Sequence, residues 1–175
     1  FLYLMIVDCK GNTMETKKYV SLVKLKMVKE KKVTYTFEKL NEAQKVAELS
    51  SRLLKGVDRE HLLVISVDAK YSPLALEVVS IGTVNAAMAE AREIFKHAIL
   101  NGVAGIFIVH NHPSGDCTPS KEDERVTRRL QEAGDLLGIE VFDHVIIGDE
   151  DQYFSFVESR KRHCKNHGCI YTIKE

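Results

Sequence analysis

Residues 103–130 read Val103-Ala-Gly-Ile-Phe-Ile-Val109-His110-Asn-His112-Pro-Ser-Gly-Asp-Cys-Thr-Pro-Ser120-Lys-Glu-Asp123-Glu-Arg-Val126-Thr-Arg-Arg-Leu130. The opening run up to Val109 carries no charge and is rich in β-branched residues, the pattern of a central strand covered on both faces. Pro113, Gly115 and Pro119 mark the loop that follows. Ser120 then opens a helix over about 121–137, with Val126, Leu130, Ala133 and Leu137 on one face and Gly138 ending it.

Working outward, Val141–Ile147 and Tyr153–Val157 read as closing strands. Upstream, residues 86–100 form a helix with Ile94, Phe95, Ala98 and Ile99 inward, preceded by strands over Leu62–Val67 and Leu76–Ile81. Asn41 is the expected cap of a helix that buries Val46, Leu49, Leu53 and Leu54 and stops at Gly56. Before it, alternating apolar and lysine residues over Val23–Met27 and the β-rich Val33–Phe37 suggest a hairpin of edge-like strands. The order β-β-α-β-β-α-β-α-β-β predicts an α/β (α+β) domain, a mixed sheet with helices against its faces. The expected division is a lysine-rich β segment, partly loose, over 1–40, a domain over 41–158, and a peripheral basic tail bearing Cys and His over 159–175.

The bulk numbers exclude several classes. A chain of 175 residues with 45% hydrophobic and 29% charged residues is that of a globular protein. Lys plus Arg equal Asp plus Glu at 25 each, so no overall field draws in nucleic acid or anionic lipid. Residues 1–40 hold nine lysines against four acids, however, a surplus that suits either a solvated face or a weak DNA-binding one. No apolar run approaches the roughly 20 residues of a membrane span. Phe1–Val7 is too short for one and lacks the flanks of a leader, and the start is expected at Met5, at Met14 or outside this sequence. Four cysteines make no disulfide framework, so a cytoplasmic location is expected.

The chemistry lies where the central strand ends. His110 and His112 are two apart, so extended geometry points both imidazoles to one side, at the mouth of the sheet. Asp123 falls in the first turn of the next helix, able to face back toward them. Two imidazoles and a carboxylate suit one catalytic Zn²⁺ per chain, with a fourth position left for water. Bound zinc lowers the pKa of that water toward about 7. Taken singly, the pieces have plainer explanations: Ser120 with Asp123 is also an N-capping pair, and a lone His-x-His is often incidental. Their conjunction is what points to a metal.

His110-x-His112-Pro113, six residues, Ser120, two residues, Asp123 resembles the JAMM metal motif of the JAB/MPN superfamily. The fuller His110-Asn-His-Pro-Ser-Gly-Asp116, Thr127-Arg-Arg-Leu, Glu132-Ala-Gly, Asp143-His144-Val-Ile-Ile-Gly148 and Gly82-Thr-Val-Asn85 resemble its RadC-like branch, over about residues 43–158. That resemblance implies a curved mixed sheet related to the cytidine-deaminase-like architecture. It implies zinc on His110, His112 and Asp123, Ser120 steadying the bound water or the oxyanion, and an upstream glutamate moving the proton. The matching glutamate is Glu60, with Glu93 and Glu77 as rivals. Active members cleave peptide or isopeptide bonds, so a peptide or protein substrate of unknown identity is implied, with no membrane partner.

Other readings stay open. One is a non-catalytic scaffold that keeps its metal; another is a DNA-associated factor, although residues 1–40 lack the Gly-centred hairpin that many RadC-like proteins place ahead of this domain. His163, Cys164, His167 and Cys169 could ligate a second metal at a cramped spacing. Cys117 reads as a bystander in the loop, His144 as a core histidine or one standing behind the ligands, and Asp116 as a turn residue. The oligomeric state is not legible.

Overall fold

The computed structural model describes residues 19–82, 90–149, 151–161 and 170–172. Two units divide the chain, residues 1–30 and 31–175. In the first, residues 19–30 form neither helix nor strand and their side chains are exposed.

The second unit contains β1 (His61–Val67), β2 (Pro73–Ile81), β3 (Gly105–Asn111), β4 (Glu140–Ile147), β5 (Gln152–Ser155) and β6 (Ile170–Thr172). They form one sheet in the order β2-β1-β3-β4-β5-β6. Only β3 and β4 run parallel, as the helix joining them requires; the other neighbours are antiparallel. Helices α1 (Ala43–Leu54), α2 (Ala91–Ile94), α3 (Lys96–Asn101), α4 (Lys121–Leu137) and α5 (Phe156–Lys161) complete the mixed α+β fold that the sequence predicts.

Strand alternation builds a core on each side of β3, every residue of which is buried. Phe107 and Val109 join Leu63, Ile65 and the α1 residues Val46, Leu49 and Leu54. Ile106 and Ile108 turn the other way, onto Leu62, Val64, Ile94, Phe95, Val126 and Leu130. Each such aliphatic side chain contributes roughly 1.5–3 kcal/mol. Among the described residues no helix is long and apolar enough to cross a membrane.

Several expectations need correction. The hairpin of Val23–Met27 and Val33–Phe37 does not form. Val33 and Phe37 instead lean on the core beside α1, and the Thr34 carbonyl accepts a hydrogen bond from Arg52 Nη1 at 2.9 Å rather than from a partner strand. Glu42, not Asn41, occupies the N-cap of α1, and the Asn41 side chain accepts from Lys45 Nζ at 2.9 Å. Of the helix expected over 86–100, residues 86–89 lie outside the described residues, and the rest is two short helices meeting at Phe95. There the face turns: His97 goes inward to Ser66 at 2.8 Å, and Ile99 is 56% exposed. Leu137 is 46% exposed as well, because the left-handed Gly138 brings Ile139 back under the last turn of α4. The strand expected over Tyr153–Val157 stops at Ser155, where Asp143 accepts from the Val157 amide at 3.1 Å and Ser155 Oγ from the Glu158 amide at 3.0 Å, opening α5. The tail is not wholly peripheral to the sheet, since Ile170–Thr172 adds the sixth strand. His163, Cys164, His167 and Cys169 lie outside the described residues.

Candidate metal centre

β3 delivers His110 as its penultimate residue and Asn111 as its last, with His112 just beyond. The His112 amide continues the parallel ladder by donating to the Ile147 carbonyl at 3.0 Å. On the far side of the loop Ser120 caps α4. Its Oγ accepts from the Asp123 amide at 3.1 Å, and its own amide donates to Asp123 Oδ2 at 2.7 Å. The Ser120 hydroxyl also donates to Asp123 Oδ2 at 2.6 Å. This reciprocal cap fixes the carboxylate, and it turns inward: Asp123 is 5% exposed.

The three side chains converge. His110 Nε2 lies 3.0 Å from His112 Nε2 and 3.3 Å from Asp123 Oδ1, and His112 Nε2 lies 3.6 Å from Asp123 Oδ2. Among the described residues this trio is the group that could hold a metal ion. Its donor set, two ring nitrogens and a carboxylate from two separate elements, fits a divalent transition metal. Burial alone would raise the Asp123 carboxyl, but the polar contacts of the His110 and His112 rings and the hydrogen bond from Ser120 hold it far below the usual carboxylate range. For His112, burial works against charge, yet Asp123, the Asp116 carbonyl and the nearby charge of Glu60 outweigh it and raise the ring's basicity.

Around the trio the rings are tied down. His112 Nδ1 lies 2.6 Å from the Asp116 carbonyl, so that nitrogen carries the proton and Nε2 presents its lone pair inward. His110 Nδ1 lies 2.8 Å from His144 Nε2, and His144 Nδ1 lies 2.6 Å from Thr127 Oγ1. Thr127 Oγ1 donates in turn to the Asp123 carbonyl at 2.6 Å. His144 thus stands behind His110. Burial drives its basicity well below the ordinary histidine range.

Glu60 stands immediately before β1. The β1–β3 ladder pairs Leu62 with His110, and carrying that register on by two residues sets Glu60 opposite His112, on the face that His110 and His112 share. The backbone on each side of it is held by Asn111: the His61 amide donates to Asn111 Oδ1 at 2.8 Å, and Asn111 Nδ2 donates to the Arg59 carbonyl at 3.0 Å. The rivals lie elsewhere. Glu93 of α2 is engaged with Lys96 of α3, and Glu77 on β2 sits 2.9 Å from His97. Cys117 is buried with Ile146, Phe154 and Phe156, its thiol pushed up to about 11 by burial, so it is a bystander to the trio. Asp116 accepts from the Thr118 amide at 2.8 Å, as a turn residue does. Sequence reasoning missed Asn111 and Thr127, whose partners lie 50 and 17 residues away.

Comparison with known proteins agrees with this geometry. The family model described as the RadC-like JAB domain matches residues 40–162. A UPF0758 protein of Desulfitobacterium hafniense is 46% identical over 119 residues, covering 68% of this chain and 52% of the relative. UPF0758 proteins of Desulforamulus reducens and Moorella thermoacetica are 52% and 51% identical over 96 residues, 55% of this chain and 42% of each relative. This chain therefore spans about half the length of the relatives it matches. With the match covering most of the chain and the His110, His112 and Asp123 trio gathered as described, the protein belongs to the RadC-like JAB domain family.

Proposed function

We propose that the chain holds one zinc ion on His110, His112 and Asp123 and hydrolyses an amide bond, peptide or isopeptide, in a peptide or protein substrate. The observation that carries this reading is the convergence of two imidazole nitrogens 3.0 Å apart on a buried carboxylate 3.3 Å away. A purely structural cap would need Asp123 and Ser120 but no histidine pair. Zinc so held supplies Lewis acidity, which lowers the pKa of a bound water toward about 7 and polarises a carbonyl.

The protein's own groups do the rest. Glu60, outside the trio and on its face, accepts the proton of the attacking water and delivers it to the leaving amine as the C–N bond breaks. Ser120 keeps Asp123 turned inward by donating its one hydroxyl proton to Oδ2. Steadying the attacking water or the oxyanion, the role the family resemblance gives it, would require that proton to be released from Asp123. A cavity of about 230 Å³ is lined by His112 with Asn111, Pro113, Gly148 and the end of α1, but by neither His110 nor Asp123.

Metal analysis tests the reading. Wild type is expected to carry about one zinc per chain, His112→Ala to lose it, and Glu60→Gln to keep it. In a peptide-library cleavage screen, wild type should cut and Glu60→Gln should not. Zinc retained by His112→Ala would move the site elsewhere. Equal cleavage by both proteins would remove Glu60 from the mechanism.

A further inference from the structure

We infer that Thr127 and His144 are positioning residues that fix the ring state of His110, so that its Nε2 faces the trio as a bare lone pair. The inference rests on His110 being a metal ligand, as proposed above, and not on hydrolysis.

Counting protons forces the sequence. The Asp123 carbonyl can only accept, so at 2.6 Å the single hydroxyl proton of Thr127 must lie between the two oxygens. Thr127 Oγ1 then has only lone pairs to offer His144 Nδ1, also 2.6 Å away, and that nitrogen must bring its own proton. His144 is buried, 1% exposed, where a second proton and its charge are costly, so its Nε2 is bare and accepts. The proton in the 2.8 Å contact therefore sits on His110 Nδ1, and His110 Nε2 is left without one. Ring stacking of His144 on Phe156, with centroids 5.2 Å apart, keeps the imidazole in the plane this relay needs.

Two consequences follow. Because the Asp116 carbonyl holds His112 Nδ1–H, the two inward nitrogens, 3.0 Å apart, both present lone pairs to the same point, as two ligands of one cation would. The relay also begins on one ligand, His110 of β3, and ends on the backbone of another, Asp123 of α4. It thereby ties together the two elements that must approach for the trio to exist. Outer partners that orient a ligating histidine typically change metal affinity 10- to 100-fold when removed.

The test pairs long-range ¹H–¹⁵N NMR on metal-free protein in mildly alkaline buffer with zinc affinity by competition against a chromogenic chelator. Wild-type His110 should show a protonated Nδ1 and a bare Nε2. Thr127→Val keeps the shape but has no hydroxyl; it should mix the ring states of His110 and weaken zinc binding about 10- to 100-fold. Thr127→Ser, which restores the hydroxyl, should bind zinc within about threefold of wild type, which a merely space-filling role for Thr127 would not predict. Wild-type His110 protonated at Nε2, or Thr127→Val binding as tightly as wild type, overturns the inference. The NMR reading on wild type stands even if Thr127→Val fails to fold. Wild type that binds no zinc would instead refute the metal reading itself.

Discussion

Gly148→Ala should damage both the fold and the trio, although Gly148 supplies none of the three side chains. A Cβ built on Gly148 would sit 2.5 Å from the Gly115 carbonyl oxygen and 3.1 Å from Cys117 Cβ. Ordinary carbon–oxygen contact begins near about 3.3 Å, so the carbonyl must retreat by roughly 0.8 Å. That retreat breaks the 2.9 Å hydrogen bond from the Asp149 amide to Gly115 and shifts the loop whose Asp116 carbonyl holds His112 Nδ1. Overpacking costs about 1–3 kcal/mol and the lost hydrogen bond about 1 kcal/mol more, which gives about 2–4 kcal/mol in urea unfolding. Zinc affinity by chelator competition should fall about 10-fold or more as His112 loses its support. Gly102→Ala is the control: φ is +58°, nothing lies within 4 Å of its Cβ, and a strain cost of about 1–2 kcal/mol should leave zinc affinity unchanged. Gly148→Ala within about 0.5 kcal/mol of wild type, with wild-type zinc affinity, would refute this account of how the loop is held.

Two further outcomes follow from groups that burial perturbs. Burial pushes the Asp143 carboxyl up to about 6, against hydrogen bonds from Ser155, Val157 and His144 that pull it down. The native state therefore holds this proton more tightly than the unfolded chain, and stability from this group is complete below about pH 4 and lost as pH rises through about 6. Asp143→Asn should accordingly gain on wild type across that window, by roughly 3 kcal/mol at neutral pH, in urea unfolding repeated at several pH values. A difference between the two proteins that stays flat with pH would sink the idea. Cys117, buried with its thiol pushed up to about 11, should resist a colourless-to-yellow disulfide reagent at neutral pH until urea unfolds the chain; rapid labelling of the native protein would contradict its burial.

What the sequence could disclose was set by the range of the forces involved. α4 is legible to the residue, because a 3.6-residue stripe ending in glycine fixes its own limits. β3 is legible in place but two residues early at each end, because the apolar run ends before the strand, which carries on through His110 and Asn111. The trio is legible as well, since strand alternation and the first helical turn fix where His110, His112 and Asp123 point. The hairpin expected before α1 fails on a different ground. Alternation over Val23–Met27 says that the chain is extended, but a strand also needs a neighbour, and no local pattern supplies one. Ile99 misleads because periodicity carried through Phe95 assumes a single helix axis, whereas the chain resets there and gives the inward place to His97. α5 hides inside an apparent strand because its start depends on Asp143, which arrives from β4.

The middle residue of His110-Asn111-His112 shows why spacing alone is half the information. Alternation sends the two imidazoles to one face and Asn111 to the other, so a reading that looks only for ligands passes it over. Its amide must both donate, to the Arg59 carbonyl at 3.0 Å, and accept, from the His61 amide at 2.8 Å. Aspartate would lack the donor and leucine would lack both, so asparagine is the residue of that size that can bracket position 60. The Gly82 amide, donating to the Glu60 carbonyl at 2.8 Å, holds the remaining peptide group. The same two-residue step that pairs the imidazoles therefore also braces the backbone carrying the proposed base. Ligand geometry and base geometry are set by opposite faces of one short strand end.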